Sequence, residues 1–216
     1  MLRRGVPFFA IGENMELVSI YNLALSHIGE TAATTSPDEQ SEERKACEAF
    51  YPIAKNKLLE LHDWSFASRT EPLAKLAETE TFGWHGAYAL PANCLRLQFL
   101  RDATRIRPSL YFPIDRDYEV RAKGTGRILY TDCENPVVGF IAGDTPEALF
   151  SPSFSDALAW LLATYIAGER IKGKEGASFA QTCQQRYLQA LTQAKTLDAS
   201  MMQVHMPYKA PWMRAR

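Results

Sequence analysis

The stretch SFSDALAWLLATYIAGERIK, residues 153–172, decides the fold. Phe154, Ala157, Leu158, Ala159, Trp160, Leu161, Leu162, Ala163, Tyr165, Ile166 and Ala167 leave no polar stripe at helical spacing. A helix that is apolar all round is buried on every side. Its apolar part runs only from Ala157 to Ala167, with Asp156 before it and Glu169, Arg170 and Lys172 after it. That is well short of the roughly 20 apolar residues a membrane span needs. The stretch therefore reads as the central helix of a core, with Ala157, Ala159, Ala163 and Ala167 letting neighbours approach closely. Ser151 or Ser153 is placed to cap it and Pro152 sits in the first turn, where a missing N–H costs nothing. Gly173 is placed to end it.

What must surround such a helix is bounded by composition. A chain of 216 residues makes one large domain, or one domain with a substantial insertion. A hydrophobic share of 46% supplies a sizeable core, and a formal net charge of -1 demands neither nucleic acid nor an anionic membrane. Cys47, Cys94, Cys133 and Cys183 form no CxxC pair, which argues against zinc and for reduced thiols. Cys47 and Cys183 fall on apolar helical faces, where cysteine acts as a small hydrophobe. No cofactor or metal motif is present; Gly124-x-Gly126 opens no helix and reads as a hairpin turn. The start, MLRRGVPFFAIGEN, has only a short apolar run broken by Pro7 and Gly12, so residues 1–14 read as an arm rather than a signal peptide.

Upstream, residues 16–28 place Leu17, Ile20, Tyr21, Ala24 and Ile28 at helical spacing, with Gly29 as the stop. Ser36-Pro37-Asp38-Glu39 is a capping box expected to open a second helix reaching Leu61. Its expected buried stripe is Cys47, Phe50, Ala54, Leu58 and Leu61, and Pro52 is expected to kink or break it near Glu48–Ala49. Glu39, Glu42 and Glu43 lie in first turns, where acids favour the helix dipole, so they are not read as an acid/base pair. His62-Asp63 resembles half of a catalytic constellation but has no GxSxG or similar partner motif. Trp64 and Phe66 are expected to plug the junction between the helices and the extended segments downstream.

From about residue 67 to 144 the period changes to two. Extended runs at 69–73, 84–90, 95–101, 118–122, 127–131 and 137–142 are separated by turns at 91–93, 123–126 and 132–136. Residues 118–131 read as a hairpin, and the whole as an antiparallel meander. A last helix is expected over about 177–202, with Phe179, Cys183, Tyr187, Leu191, Ala194, Leu197 and Met201 on its buried face. The fold class is thus α+β: an antiparallel bundle of about four helices with an inserted antiparallel β-rich module. The boundaries are 1–14 arm, 15–66 first half of the bundle, 67–145 inserted module, 146–202 second half, and 203–216 an extended tail. In that tail Pro207 and Pro211 forbid a helix, Tyr208, Trp212, Met213, Arg214 and Arg216 are residue types that anchor interfaces, and Lys209, Arg214 and Arg216 would suit an acidic groove on a partner. The module carries aromatics beyond what one face of a small sheet needs, which marks Tyr111, Phe112 and Tyr118 as interface residues.

Taken together, these elements resemble a known family. The carrying residues are Tyr21-Asn22-Leu23-Ala24-Leu25-Ser26-His27-Ile28-Gly29, then Cys47, Phe50-Tyr51-Pro52, Leu58-Leu59 and His62-Asp63-Trp64-Ser65-Phe66-Ala67. Gly83-Trp84, Tyr88-Ala89-Leu90-Pro91, Cys94-Leu95-Arg96, Phe150-Ser151-Pro152-Ser153-Phe154 and Ala157-Leu158-Ala159 complete the set. Over roughly residues 17–199 the chain resembles the tail tubular protein A family of short-tailed phages, the head-to-tail adaptors below the portal. The resemblance implies a virion structural protein, assembled in the host cytoplasm, that forms a dodecameric ring. Its implied partners are the portal protein, which the tail embraces, and a tail nozzle protein (tail tubular protein B-like), which the β module faces. The helical part would line the DNA-ejection channel and make transient, non-specific contact with passing double-stranded DNA, with no membrane, cofactor or catalysis involved.

Two other classes fit the residues less well. Exopolysaccharide hydrolase activity, attributed to some members of the family, needs two carboxylates about 5–10 Å apart across a cleft, whereas the acids here are scattered or lie on helix faces. A sequence-independent DNA-binding module needs a concentrated basic stripe, which the near-neutral balance disfavours.

Overall fold

The computed structural model describes residues 8–30, 41–77, 81–103, 117–171 and 174–201, with side chains from residue 15 onward except 169, 170 and 174. The fold is α+β. Four helices, α1 Phe8–His27, α2 Glu42–Glu60, α3 Pro152–Arg170 and α4 Lys174–Ser200, bracket six strands. The strands are β1 Ser68–Pro72, β2 Gly86–Ala89, β3 Cys94–Asp102, β4 Tyr118–Lys123, β5 Gly126–Thr131 and β6 Pro136–Ala142.

The apolar stretch is α3, and α1, α2 and α4 all pack on it. Phe154, Ala157, Leu158, Ala159, Leu161, Leu162, Ala163, Ile166 and Ala167 are buried, as a helix without a polar stripe requires. Ser151 is the cap: its Oγ accepts the Phe154 N–H at 3.2 Å, and Pro152 takes the first helical position. Gly173, expected to end α3, lies outside the described residues.

α1 begins at Phe8, so the expected boundary of an arm at residue 14 falls inside a helix. Pro7 precedes it, and Gly12 costs only about 1 kcal/mol within a helix. Its end follows the expectation. Gly29 takes φ 79°, and the Glu30 N–H reaches the Leu25 carbonyl while the Gly29 N–H reaches that of Ser26, both at 3.1 Å.

α2 differs more. Its cap is Ser41, whose Oγ accepts the Arg44 N–H at 3.2 Å. The box at 36–39 lies outside the described residues. Pro52 sits inside one continuous helix, without a break at Glu48–Ala49. Buried Cys47, Tyr51, Ala54, Leu58 and Leu59 hold the helix on both sides of it, against the loss of one N–H bond. The stripe is also rotated: Phe50 is half-buried and Leu61 exposed, while Tyr51, Leu59 and Arg44 are buried.

The strands form two three-stranded antiparallel sheets, ordered β1-β6-β3 and β2-β5-β4, rather than one meander. Only β4 and β5 are a hairpin of sequence neighbours; Gly124, at φ 60°, turns it. The turn at Pro91-Ala92-Asn93 does not pair β2 with β3 but carries the chain between sheets. The reason lies in β6, PVVGFIA, which is apolar on both faces and so takes a central place between β1 and β3. Beyond β1, Leu76 N–H donates to Ala87 O at 2.8 Å, so the same chain path borders both sheets. Tyr88, Leu100, Leu129, Val138 and Phe140 form the module's core. Ile141, alternate on β6, points instead into the helical core with Trp64, Phe154 and Leu158, and joins the two.

Candidate functional site

The side chains with the most chemistry gather where α2 hands over to β1. Trp64 is fully buried, its Nε1–H donating to the Leu58 carbonyl at 2.9 Å and its ring meeting Phe154 edge-on at 4.9 Å. This is the expected plug. Beside it lies a group that sequence reasoning missed: Asp198 of α4, only 7% exposed. Its Oδ1 accepts the Ser65 N–H at 3.1 Å and the Ser65 hydroxyl at 2.7 Å, and its Oδ2 lies 3.1 Å from His62 Nε2. Ser, His and Asp thus meet, but with the carboxylate in the middle. A nucleophilic triad needs the imidazole between the other two so that it can take the hydroxyl proton. Here the hydroxyl is committed to the carboxylate, and the group is a clamp tying the last turns of α4 to the end of α2. Asp63, its neighbour in sequence, turns away to Arg96 at 2.5 Å and Gln98 at 3.1 Å. The signal for Asp198 was its spacing, four residues after buried Ala194; Leu197, chosen for its hydrophobicity, is 48% exposed.

Several other acids of the described surface are held by cations or donors. Glu147 accepts from Tyr51 Oη at 2.8 Å and Lys55 Nζ at 2.9 Å. Burial, the largest single influence, would raise its carboxyl, but these two bonds together with the Lys55 charge and a backbone hydrogen bond hold it below the ordinary value. The same burial, with Glu147 beside it, pushes the Tyr51 phenol far up. Glu119 bonds Arg121 Nε at 2.7 Å and Trp84 Nε1 at 3.3 Å, which lowers its carboxyl. Asp144 pairs with Arg69 at 3.1 Å. His27, stacked on Trp160 with ring centroids 3.6 Å apart, is lowered by burial against a weaker opposing pull from Asp156. Among the described residues no cluster of His, Cys, Asp or Glu could hold a metal ion, and all four cysteines are buried and outside any disulfide. Among those residues, too, no helix is long and apolar enough to cross a membrane.

Of the expected interface residues, Tyr118 is described: it stands at the start of β4, an edge strand, 40% exposed, with Val120 beyond it on the same face. Tyr111 and Phe112 lie outside the described residues, as do Tyr208, Lys209, Trp212, Met213, Arg214 and Arg216. Much of the module's aromatic excess is internal. Tyr88 and Tyr130 are buried, because two sheets provide two apolar layers in place of the single expected one. Phe82 is exposed instead, at φ 53°, with the Arg121 guanidinium 3.7 Å above its ring.

Among the described residues, α4 borders two apolar grooves. Along its outer side Leu188, Gln189, Thr192, Gln193, Thr196 and Leu197 line a shallow groove of about 640 Å³. A second groove of about 470 Å³ shares Leu197 and runs past Met201 to Leu149 and Phe66. Leu188 is 51% and Met201 73% exposed. Comparison with protein-family models finds no match, and a search of curated proteins returns no significant similarity.

Proposed function

We propose that this chain is a structural subunit of a phage tail. It is a head-to-tail adaptor of the tail tubular protein A kind, which assembles as a ring (a dodecamer, by the resemblance) between the portal and the nozzle and surrounds the exiting DNA. The observation that carries this reading is the architecture. The two helical halves close around α3 while the β module is inserted between α2 and α3, in the order that the resemblance implies. The polar clusters add support, since each is a tie between elements rather than a set of groups converging on a cleft. In this reading the module's β4 side, with Tyr118 and Val120, meets the nozzle, and Tyr208, Lys209, Trp212, Met213, Arg214 and Arg216 dock on the portal. The test is capture of the protein by isolated portal rings, followed by light scattering and imaging. The full chain should add as a ring of copies. A chain cut after residue 202 should melt at the same temperature yet fail to attach, and Trp212→Ala alone should weaken attachment by about 2 kcal/mol or more if it is an anchor. Attachment by the truncated chain as tight as by the full one would remove the role given to the tail. Glycan release by the purified protein would favour the hydrolase reading.

A further inference from the structure

We propose that residues 202–208 of this chain seat in the groove between the end of α4 and the segment before α3, so that the residues beyond leave the molecule from a fixed point. The groove, about 470 Å³, is walled by Phe66, Leu149, Pro152, Leu197 and Met201, with serine hydroxyls around them. Leu149, Leu197 and Met201 are all exposed large hydrophobic side chains, gathered in this one wall. Apolar surface inside a polar rim marks a binding site rather than a solvated face. The polar groups of the wall are largely engaged already. Asp198, the one charged residue lining it, holds Ser65 and His62. The Ser200 hydroxyl donates to the Leu197 carbonyl at 2.6 Å, and Ser151 Oγ accepts the Phe154 N–H. An occupant is therefore held by apolar burial, not by ion pairs.

The place where α4 stops identifies that occupant as the chain's own continuation. Met201, the last described residue, is itself part of the wall. Its N–H reaches the Asp198 carbonyl at 3.0 Å, the tightened turn in which helices often end. Beyond it the apolar period changes from helical to two: Met202, Val204, Met206 and Tyr208 alternate with Gln203, His205 and Pro207. An extended run of that pattern puts its apolar side chains on one side. Pro207 favours extended backbone at Met206 and has no N–H to satisfy. Methionine side chains suit an irregular apolar groove because they are unbranched and adaptable. Seven residues at roughly 3.3 Å each span about 23 Å, enough to cross the groove. A segment tethered at its rim meets the wall at an effective concentration on the order of millimolar, which favours it over a free partner. The seat also accounts for Leu197 and Met201, which helical periodicity assigns to a buried face and which the helices leave open. It goes beyond the portal reading: the residues from Tyr208 onward stay available, and a fixed point of departure lowers the entropy they lose on docking.

Full-length double-cysteine variants test this, each pairing Leu149→Cys with Val204→Cys, His205→Cys or Met206→Cys, against native thiols that are buried. Under mild oxidation the better of Val204→Cys and Met206→Cys should close a disulfide within one chain about tenfold faster than His205→Cys, because only alternate side chains face the wall. Equal rates at the three positions, or no cross-link at any, overturn the proposal. So does cross-linking that appears only at dimer mass, which would give the groove to the tail of another copy. In parallel, a chain cut after residue 202 should exchange its backbone amides faster at 147–153 than the full chain does. A tail held only several-fold over open is too weakly seated to move the melting temperature appreciably, so the loss is read at the groove and not in the melt. Unchanged exchange at 147–153 overturns the seat as well. Portal capture judges the portal reading separately. Capture of a chain that shows no preference in linking would sink only the seat, and the preference without capture would sink only the portal reading.

Discussion

At the scale of single residues, Asp198 is the most consequential side chain that lies outside the apolar core. It satisfies a backbone N–H and a hydroxyl of Ser65 and meets His62, so its loss removes the shared acceptor of all three part-buried contacts. Asp198→Ala should cost about 3 kcal/mol, seen as a lowered melting temperature, while Ser65→Ala should cost clearly less because the backbone N–H keeps its acceptor. A drop no larger than that of a surface substitution would show that the clamp is idle. Glu147 makes a pH-dependent contribution whose sign follows from its environment. Its folded carboxyl is held below the unfolded value of 4.5 by Lys55 and Tyr51. The stabilisation is therefore complete above that value and is lost as pH falls through the lower folded one. Tyr51→Phe should cost about 2 kcal/mol at neutral pH, since it removes a bond to a charged group. The difference between parent and variant should shrink as the solution is acidified, and melts at pH 7 and at strongly acid pH would measure it.

At the scale of elements, α3 organises the molecule because every other helix buries its apolar side against it. Leu161→Asp places an unpaired charge where only 2% of the residue's surface meets water. We expect it to cost about 4 kcal/mol and to leave little soluble folded protein. An expressed variant that melted like the parent would mean that α3 is not the core. α2 shows how tertiary packing overrides a local rule. Proline in a helix interior removes a hydrogen bond and crowds the preceding turn, yet Tyr51 and Ala54 on either side of Pro52 are buried, and the helix continues. β4 lies at the other extreme: at the edge of its sheet among the described strands, with Tyr118 and Val120 exposed among the described residues. Open edges invite pairing with another chain. If β4 meets the nozzle, its amides should gain hydrogen-exchange protection on tail assembly, and unchanged protection would count against that role.

At the scale of the whole molecule, two cores are joined through β6, with Ile141 in the helical one and Val138 and Phe140 in the other. In the adaptor reading proposed above, a module tied to the bundle in this way would carry its contacts at a distance from the helices.

How much of this was legible in the amino-acid order depends on the range of the interactions involved. Short-range patterns sufficed for the existence of all four helices, for Ser151 and Gly29 at helix ends, for the β4–β5 hairpin and for the burial of α3, because apolar period, caps and turn residues act over a few positions. The partners of the other strands were not legible. The turn at Pro91-Ala92-Asn93 has the composition of a hairpin, and only the two-sided burial of β6 decided that β2 and β3 belong to different sheets. The passage through Pro52 and the inward turn of Asp198 in place of Leu197 were likewise decided by distant segments. Residue 198 finds Ser65 and His62 across more than a hundred residues of chain, and a carboxylate is buried only where such partners wait for it, which no local pattern records.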